Sequence, residues 1–380
     1  MTTTDDPAEL MDSDLPFEQR MQPHLRRLRT EAPVRRVRTP AGDHAWLITG
    51  YDQIKELLRD PRVGRSHPDP ASRAQYSGDP TYDQVLSPDP ATADAIHTGV
   101  RTVLKPQFAA KRVQAMEDRV AVLVNEAVDR LMVAGPGADF RTGFSEPLVR
   151  LVLAELLGVP EDRQQESAAL MRQGDVMQLS GFLVEVAAAK RQEPDDSLIG
   201  RLCAIGLPDD QVVQIAMLVQ FAGFGATSKQ IDYGFLLLST EPEQRAKIAA
   251  DPGRLPGAVE ELLRLAGSLS LPRYAREDIA VGGELIRSGD LILLDLTRAN
   301  YDAGAFECPV DLDPDRTPNR HLTFGNGAWT CLGAPLARML LQTTFATLLS
   351  RLPGLVPAGE LPRVAGALSG GLPDAVPVTW

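Results

Sequence analysis

The 380-residue sequence is poor in cysteine, in aromatic residues and in positive charge. Three cysteines occur, Cys203, Cys308 and Cys331; they are far apart and form no C-x-x-C pair. That spacing argues against a zinc site or a disulfide framework and fits a reducing compartment. Lysine and arginine total 39 against 51 aspartate and glutamate, a net charge of −12. So acidic a chain is a poor binder of nucleic acid or of an anionic membrane surface. No apolar run is long enough to span a bilayer, and the start, MTTTDDPAELMDSD, lacks the apolar core of a signal peptide. The expectation is a cytoplasmic protein without nucleic-acid or membrane contacts.

What is present is the material of a sizeable core: 43% hydrophobic and 24% charged residues. PVRRVRTPAGDHAWLITGY predicts two strands around a turn at Pro40–Gly42. YDQIKELLRD predicts a short amphipathic helix, and residues 63–92 a long irregular loop. Residues 1–30 read as a loose start followed by a short helix. From Ala93 to Leu157 helical periodicity dominates, and further helices are expected over 161–174 and 178–191. A long central helix is expected from Pro208, as a first-turn proline, to just before Pro242, with Asp209 and Asp210 complementing its dipole. Then come a helix through EELLRLAG, a strand-rich stretch, a proline-rich coil over 299–319 and a last helix, APLARMLLQTTFATLLSRL. The fold class is mostly α with small β-sheets, and residues 1–380 are expected to form a single domain.

Two stretches carry chemistry. In HLTFGNGAWTCLGAPLARMLL, residues 321–341, a glycine-rich turn delivers Cys331 just ahead of a helix N-terminus. Gly325, Gly327 and Gly333 allow close backbone approach, and the helix dipole favours a thiolate. Such a thiolate is a nucleophile or a metal ligand, although a lone cysteine is by default a small buried hydrophobe. The other stretch is AGFGATS, Ala222–Ser228, inside the central helix. Its two glycines each weaken a helix by about 1 kcal/mol relative to alanine.

F-G-x-G-x-x-x-C-L-G-x-x-L-A-R resembles the heme-binding signature of cytochrome P-450, matched by Phe324, Gly325, Gly327, Cys331, Leu332, Gly333, Leu336, Ala337 and Arg338. Glu261 and Arg264 match the family's E-x-x-R helix motif, and RANYD, with Asn300 and Asp302, its following segment. Singly these are weak, since most E-x-x-R pairs lie on surfaces; their order around Cys331 is what carries the resemblance. It implies the cytochrome P-450 fold with the long central helix over a heme b. Cys331 would be the axial iron ligand. His97 and Arg101, i and i+4 in HTGVR, together with Arg273 would face the propionates. Phe324, Gly325 and Gly333 would cradle the ligand loop, and Ala222 and Gly223 would leave room over the heme.

The departures bear on the reaction. Trp329 stands where many bacterial members carry a propionate-binding histidine; its indole N–H can donate one hydrogen bond but brings no charge. It is either a neutral exchange or a working substitute. Gly225 and Ala226 stand where the family has an acid and an alcohol that hold the proton-delivering water. Thr227 comes one residue late, so its hydroxyl is expected to point away from the heme unless the helix is distorted. The region over 160–196 reads as short, either an open lid over a bulky substrate or trimming of a variable surface. Asp311 stands where an arginine often completes the E-x-x-R network, which leaves the partners of Arg264 open.

The resemblance implies a monomeric heme-thiolate oxidase that takes electrons from ferredoxin and ferredoxin reductase and acts on a small molecule or peptide. Gly225, Ala226 and the short lid point first to oxidative crosslinking of aromatic residues in a small peptide or cyclic dipeptide. The alternatives are hydroxylation or epoxidation of a macrolide or terpenoid, and a non-catalytic partner that keeps the fold.

Overall fold

A computed structural model describes residues 15–16, 32–39, 41–67, 69–76, 91–267, 270–360, 363–364 and 375–380. The helix expected before residue 30, Pro40 of the expected turn and residues 77–90 of the expected loop lie outside the described residues. The chain divides into two compact units. One comprises Met1–Gly99, Glu260–Cys331 and Leu361–Asp374; the other Val100–Val259, Leu332–Glu360 and Ala375–Trp380. Among the described residues no helix is long and apolar enough to cross a membrane.

The first unit is built on a five-stranded sheet. Its strands are β1 (Val34–Arg38), β2 (His44–Ile48), β3 (Val63–Gly64), β4 (Ser270–Ala275) and β5 (Leu291–Asp295), in the order β1-β2-β5-β4-β3. β2 and β5 run parallel and the other pairs antiparallel. Alternate residues feed opposite faces, as the two-residue period of a strand requires. Trp46, Ile48, Ile292 and Leu294 join one core with Ile54, Leu57 and Leu58, which belong to or follow helix α1 (Tyr51–Leu57). Val37, Leu47, Tyr274, Leu291 and Leu293 form the other. The predicted strand pair and the amphipathic helix are therefore both present.

The second unit is helical. α2 (Ala93–Leu104) and α8 (Leu255–Ala266) each have residues in both units. Between them lie α3 (Glu117–Ala134), α4 (Glu146–Leu157), α5 (Gln164–Gln173), α6 (Val176–Gln192) and α7 (Asp209–Thr240); α9 (Ala334–Arg351) follows. α7 has 32 residues, about 48 Å at 1.5 Å per residue. Pro208 is its extended N-cap, not a first-turn residue, while Asp209 and Asp210 occupy the first turn as expected. The helix runs unbroken through both glycines, because packing outweighs their local propensity. The side of Gly223 lies against α4: a Cβ there would stand 2.8 Å from Leu153 Cδ2.

A buried acid sits on this long helix. Asp232 is fully buried and accepts a 2.5 Å hydrogen bond from Ser145, which closes a π-helical turn over Arg141–Ser145. Its Oδ2 has no hydrogen-bond partner. Burial pushes its pKa up to about 7, opposed by the Ser145 bond and the Arg141 charge. The folded protein therefore holds a proton that the unfolded chain releases near pH 4. The resulting stability is full below pH 4, falls as the pH rises, and is lost above about 7. The shift corresponds to roughly 4 kcal/mol across that window. Asp232→Asn is expected to raise the melting temperature at pH 8 and to leave it nearly unchanged at pH 4; an equal effect at both values would refute the assignment.

Candidate active site

The site is built from the inside of the first unit outward. Glu261 and Arg264, one helical turn apart on α8, are both fully buried. Arg264 grips Glu261 in a bidentate fork, Nε to Oε1 at 2.7 Å and Nη2 to Oε2 at 2.8 Å. Its remaining donors reach three carbonyls: Asn300 at 2.9 Å, Pro309 at 2.5 Å and Asp311 at 3.1 Å. The open question at Asp311 is thus resolved. Asp311 contributes its backbone, and the arginine comes from Arg316, whose Nε lies 3.0 Å from Glu261 Oε1. Asn319 Nδ2 and the Asp313 N–H also donate to Glu261. A planar guanidinium with five donors can tie so many segments at once; lysine cannot.

Asn300 transmits this order to the cysteine loop. Its Oδ1 accepts from the Leu322 N–H at 2.7 Å, and its Nδ2 donates to Thr323 Oγ1 at 2.9 Å. Asp302 accepts from the Tyr51 N–H at 2.9 Å and so satisfies the first turn of α1. The loop then folds on itself. The Cys331 N–H donates to the Phe324 carbonyl at 2.7 Å, and Gly325 donates to Leu322 at 2.7 Å. Gly325 and Gly327 have φ of +70° and +62°. A Cβ on Gly325 would stand 2.8 Å from the Trp329 carbonyl, so only glycine fits there. Gly333, with φ −78°, is the N-cap of α9. Cys331 is exposed and is not in a disulfide.

Beside this loop the first unit gathers cations. Arg273, on β4, is only 5% exposed. Its Nη1 donates to the Pro272 carbonyl at 2.7 Å, and its Nε has no hydrogen-bond partner. Burial and the nearby Arg65 charge push its pKa down to about 9, and burial pushes Arg65 down as well. The Arg273 guanidinium lies 4.4 Å from the Trp329 ring centroid, and the His97 ring lies 4.4 Å from the same indole. A buried cation with an orphaned N–H is costly unless an anion meets it. This cluster beside an exposed cysteine fits the carboxylates of a heme.

The second unit carries the remaining candidates. Arg101 lies on α2, one turn after His97. On α7, Leu218 and Phe221 are 46% and 53% exposed, and Ala222 and Ala226 are exposed too. At helical spacing these make an apolar stripe on a helix that is otherwise largely buried. A Cβ added to Gly225 would meet nothing within 4 Å. Because the helix is regular, Thr227 sits about 100° around it from Ala226, with no distortion to bring its hydroxyl back. Ser228 is no substitute, since its hydroxyl donates to the Phe224 carbonyl at 2.9 Å.

The structure thus brings His97, Arg273 and Trp329 together, and joins Phe324, Gly325 and Cys331 in one loop. Sequence reasoning missed Arg65, which carries no motif and is legible only through its effect on Arg273. It also missed Arg316 as the partner of Glu261.

A family model for cytochrome P450 matches residues 255–364. Pentalenolactone synthase of Streptomyces exfoliatus is 37% identical over 94% of this chain and 96% of its own. The mycinamicin IV hydroxylase/epoxidase of Micromonospora griseorubida is 34% identical over 93% and 94%. The crystal structure of a substrate-free cytochrome P450, a polyene macrolide antibiotic pimaricin epoxidase, superposes with a TM-score of 0.88. It is 39% identical and the match covers 99% of this chain and 100% of that one. These relatives and the site define a heme-dependent oxidoreductase of the monooxygenase class. The chain belongs to the cytochrome P450 family.

Proposed function

We propose that this protein inserts one oxygen atom into a macrolide- or terpenoid-type small molecule, by hydroxylation or epoxidation. The observation that carries this reading is the set of near-full-length relatives, among them a mycinamicin IV hydroxylase/epoxidase and a polyene macrolide antibiotic epoxidase. Cys331 would hold the iron of a heme b, and His97, Arg101, Arg273 and Arg65 its propionates. When bound, a thiolate-ligated heme supplies the O–O cleavage chemistry. With Gly225 and Ala226 in place of an acid and an alcohol, protons would come through ordered water or a substrate hydroxyl. We read the chain as a single cytoplasmic P450 domain, monomeric, with electrons from ferredoxin and its reductase.

Gly225 and Ala226 also support a second reading, oxidative joining of two aromatic rings in a small peptide or cyclic dipeptide. Product mass separates the two. Incubation with a macrolide or terpenoid panel, a ferredoxin, its reductase and NADPH is expected to give products heavier by one oxygen. Products lighter by two hydrogens, formed only from aromatic peptides, would overturn the oxygen-insertion reading.

A further inference from the structure

We propose that Trp329 is a positioning residue: its indole is the shared platform that holds Arg273 and His97 ready to receive the heme propionates. The inference rests on the heme reading above and goes beyond it, because it assigns the work to a side chain of no charge.

Three elements converge on this ring. Trp329 closes a single 3-10 turn, Gly327–Trp329, within the cysteine loop. That turn is fixed at both ends: Asn326 caps it through its own side chain, and the Trp329 N–H donates to the Asn326 carbonyl at 3.2 Å. The positive-φ glycines on either side of Asn326 bring the backbone close to the end of α1. A Cβ on Gly327 would stand 3.2 Å from the Leu58 carbonyl. The indole is therefore aimed by its backbone. Arg273 reaches it from β4 and His97 from α2, each at 4.4 Å. Trp329 also packs against the core that contains Trp46 and Ile292, which anchors the platform.

The physical need for such a platform follows from the charges. Arg273 is buried, with Arg65 close enough to repel it. Another cationic side chain at position 329 would add to that repulsion before any anion arrives. An indole face attracts a guanidinium more strongly than any other side-chain ring, and more so when water is excluded. The His97 ring lies against the same indole, tilted by 36° at 4.4 Å. Trp329 thus orders two basic groups without adding a charge, and ordering a site in advance lowers what binding must spend on it.

The test compares Trp329→Leu and Trp329→Phe in the full-length protein. In the heme-free form the chain has five histidines, so the His97 ring protons can be followed by NMR. The stack predicts that they are displaced upfield in the wild type, less so in Trp329→Phe, and not in Trp329→Leu. In the loaded form, heme release to excess apomyoglobin is expected to be about tenfold faster in Trp329→Leu and within about threefold of wild type in Trp329→Phe. Two results would overturn the proposal alone: unchanged His97 shifts and release rate in Trp329→Leu, or Trp329→Phe releasing heme as fast as Trp329→Leu. A wild type that lacks the thiolate-type ferrous–CO band would overturn the heme reading, and this proposal with it.

Discussion

Cys331→Ser is expected to lose the thiolate-type ferrous–CO band and to slow substrate turnover by at least about a hundredfold. Changes to groups that merely surround a metal ligand already cost 10–100-fold, so removal of the ligand itself sets that as a floor. The fold has little reason to suffer. The Cys331 side chain is exposed, and the loop is held by its backbone, through the Cys331 N–H to Phe324 and the positive φ of Gly325 and Gly327. The melting temperature of the heme-free form is therefore expected to stay close to that of the heme-free wild type. Cys308→Ser is the matched control. Cys308 is also exposed, but it lies outside the Cys331 loop, with a backbone φ of +44°. Its replacement is expected to leave the band unchanged. A band that survives in Cys331→Ser and disappears in Cys308→Ser would place the ligand elsewhere.

What the sequence disclosed follows from how local each signal is. The cysteine loop was legible because Gly325, Gly327 and Cys331 must stand at fixed offsets for the turn to close. The long helix was legible from its apolar run and its bounding prolines, although Pro208 fell one position outside it. Contacts between distant segments were not legible. Arg316 meets Glu261 across 55 positions of the chain, and nothing near Arg316 announces it. Position 311 lacks the arginine of the family pattern, and the structure uses the Asp311 carbonyl there. Arg65 is ordinary in sequence and becomes informative only when burial beside Arg273 gives it an electrostatic cost. Asp232 is likewise one polar residue in an apolar run; burial makes it a titrating group, against the opposing effect of the Ser145 bond.

Trp329 shows a different limit. Its position marked it as a departure, and its single N–H suggested one hydrogen bond. In the structure the Arg273 guanidinium and the His97 ring both lie 4.4 Å from the ring centroid. Side-chain type predicts which contacts are possible, while β4 and α2 decide which are made. On α7 the space beside Gly225 is open, and the unbroken helix sets Thr227 about 100° around its axis from Ala226.

Glu261→Gln is expected to lower the unfolding free energy by roughly 3–5 kcal/mol, read as a drop in the urea midpoint of the heme-free protein. The substitution leaves the Arg264 charge fully buried with only carbonyl partners. Arg264→Lys is expected to fall in between, since an ammonium cannot make the fork to Glu261 and reach Asn300, Pro309 and Asp311 together. The double replacement Glu261→Leu with Arg264→Leu separates stability from site order. With both charges gone, much of the lost stability is expected to return, because buried pairs are often replaceable by apolar residues. Heme retention is not expected to return with it. Arg264 ties the coil through Pro309 and Asp311, and it meets Asn300, which in turn holds Leu322 and Thr323 ahead of the cysteine loop. An aliphatic pair cannot replace those bonds. A double variant that regained both stability and heme retention, or a Glu261→Gln protein within about 1 kcal/mol of wild type, would show that the buried pair does not position Cys331.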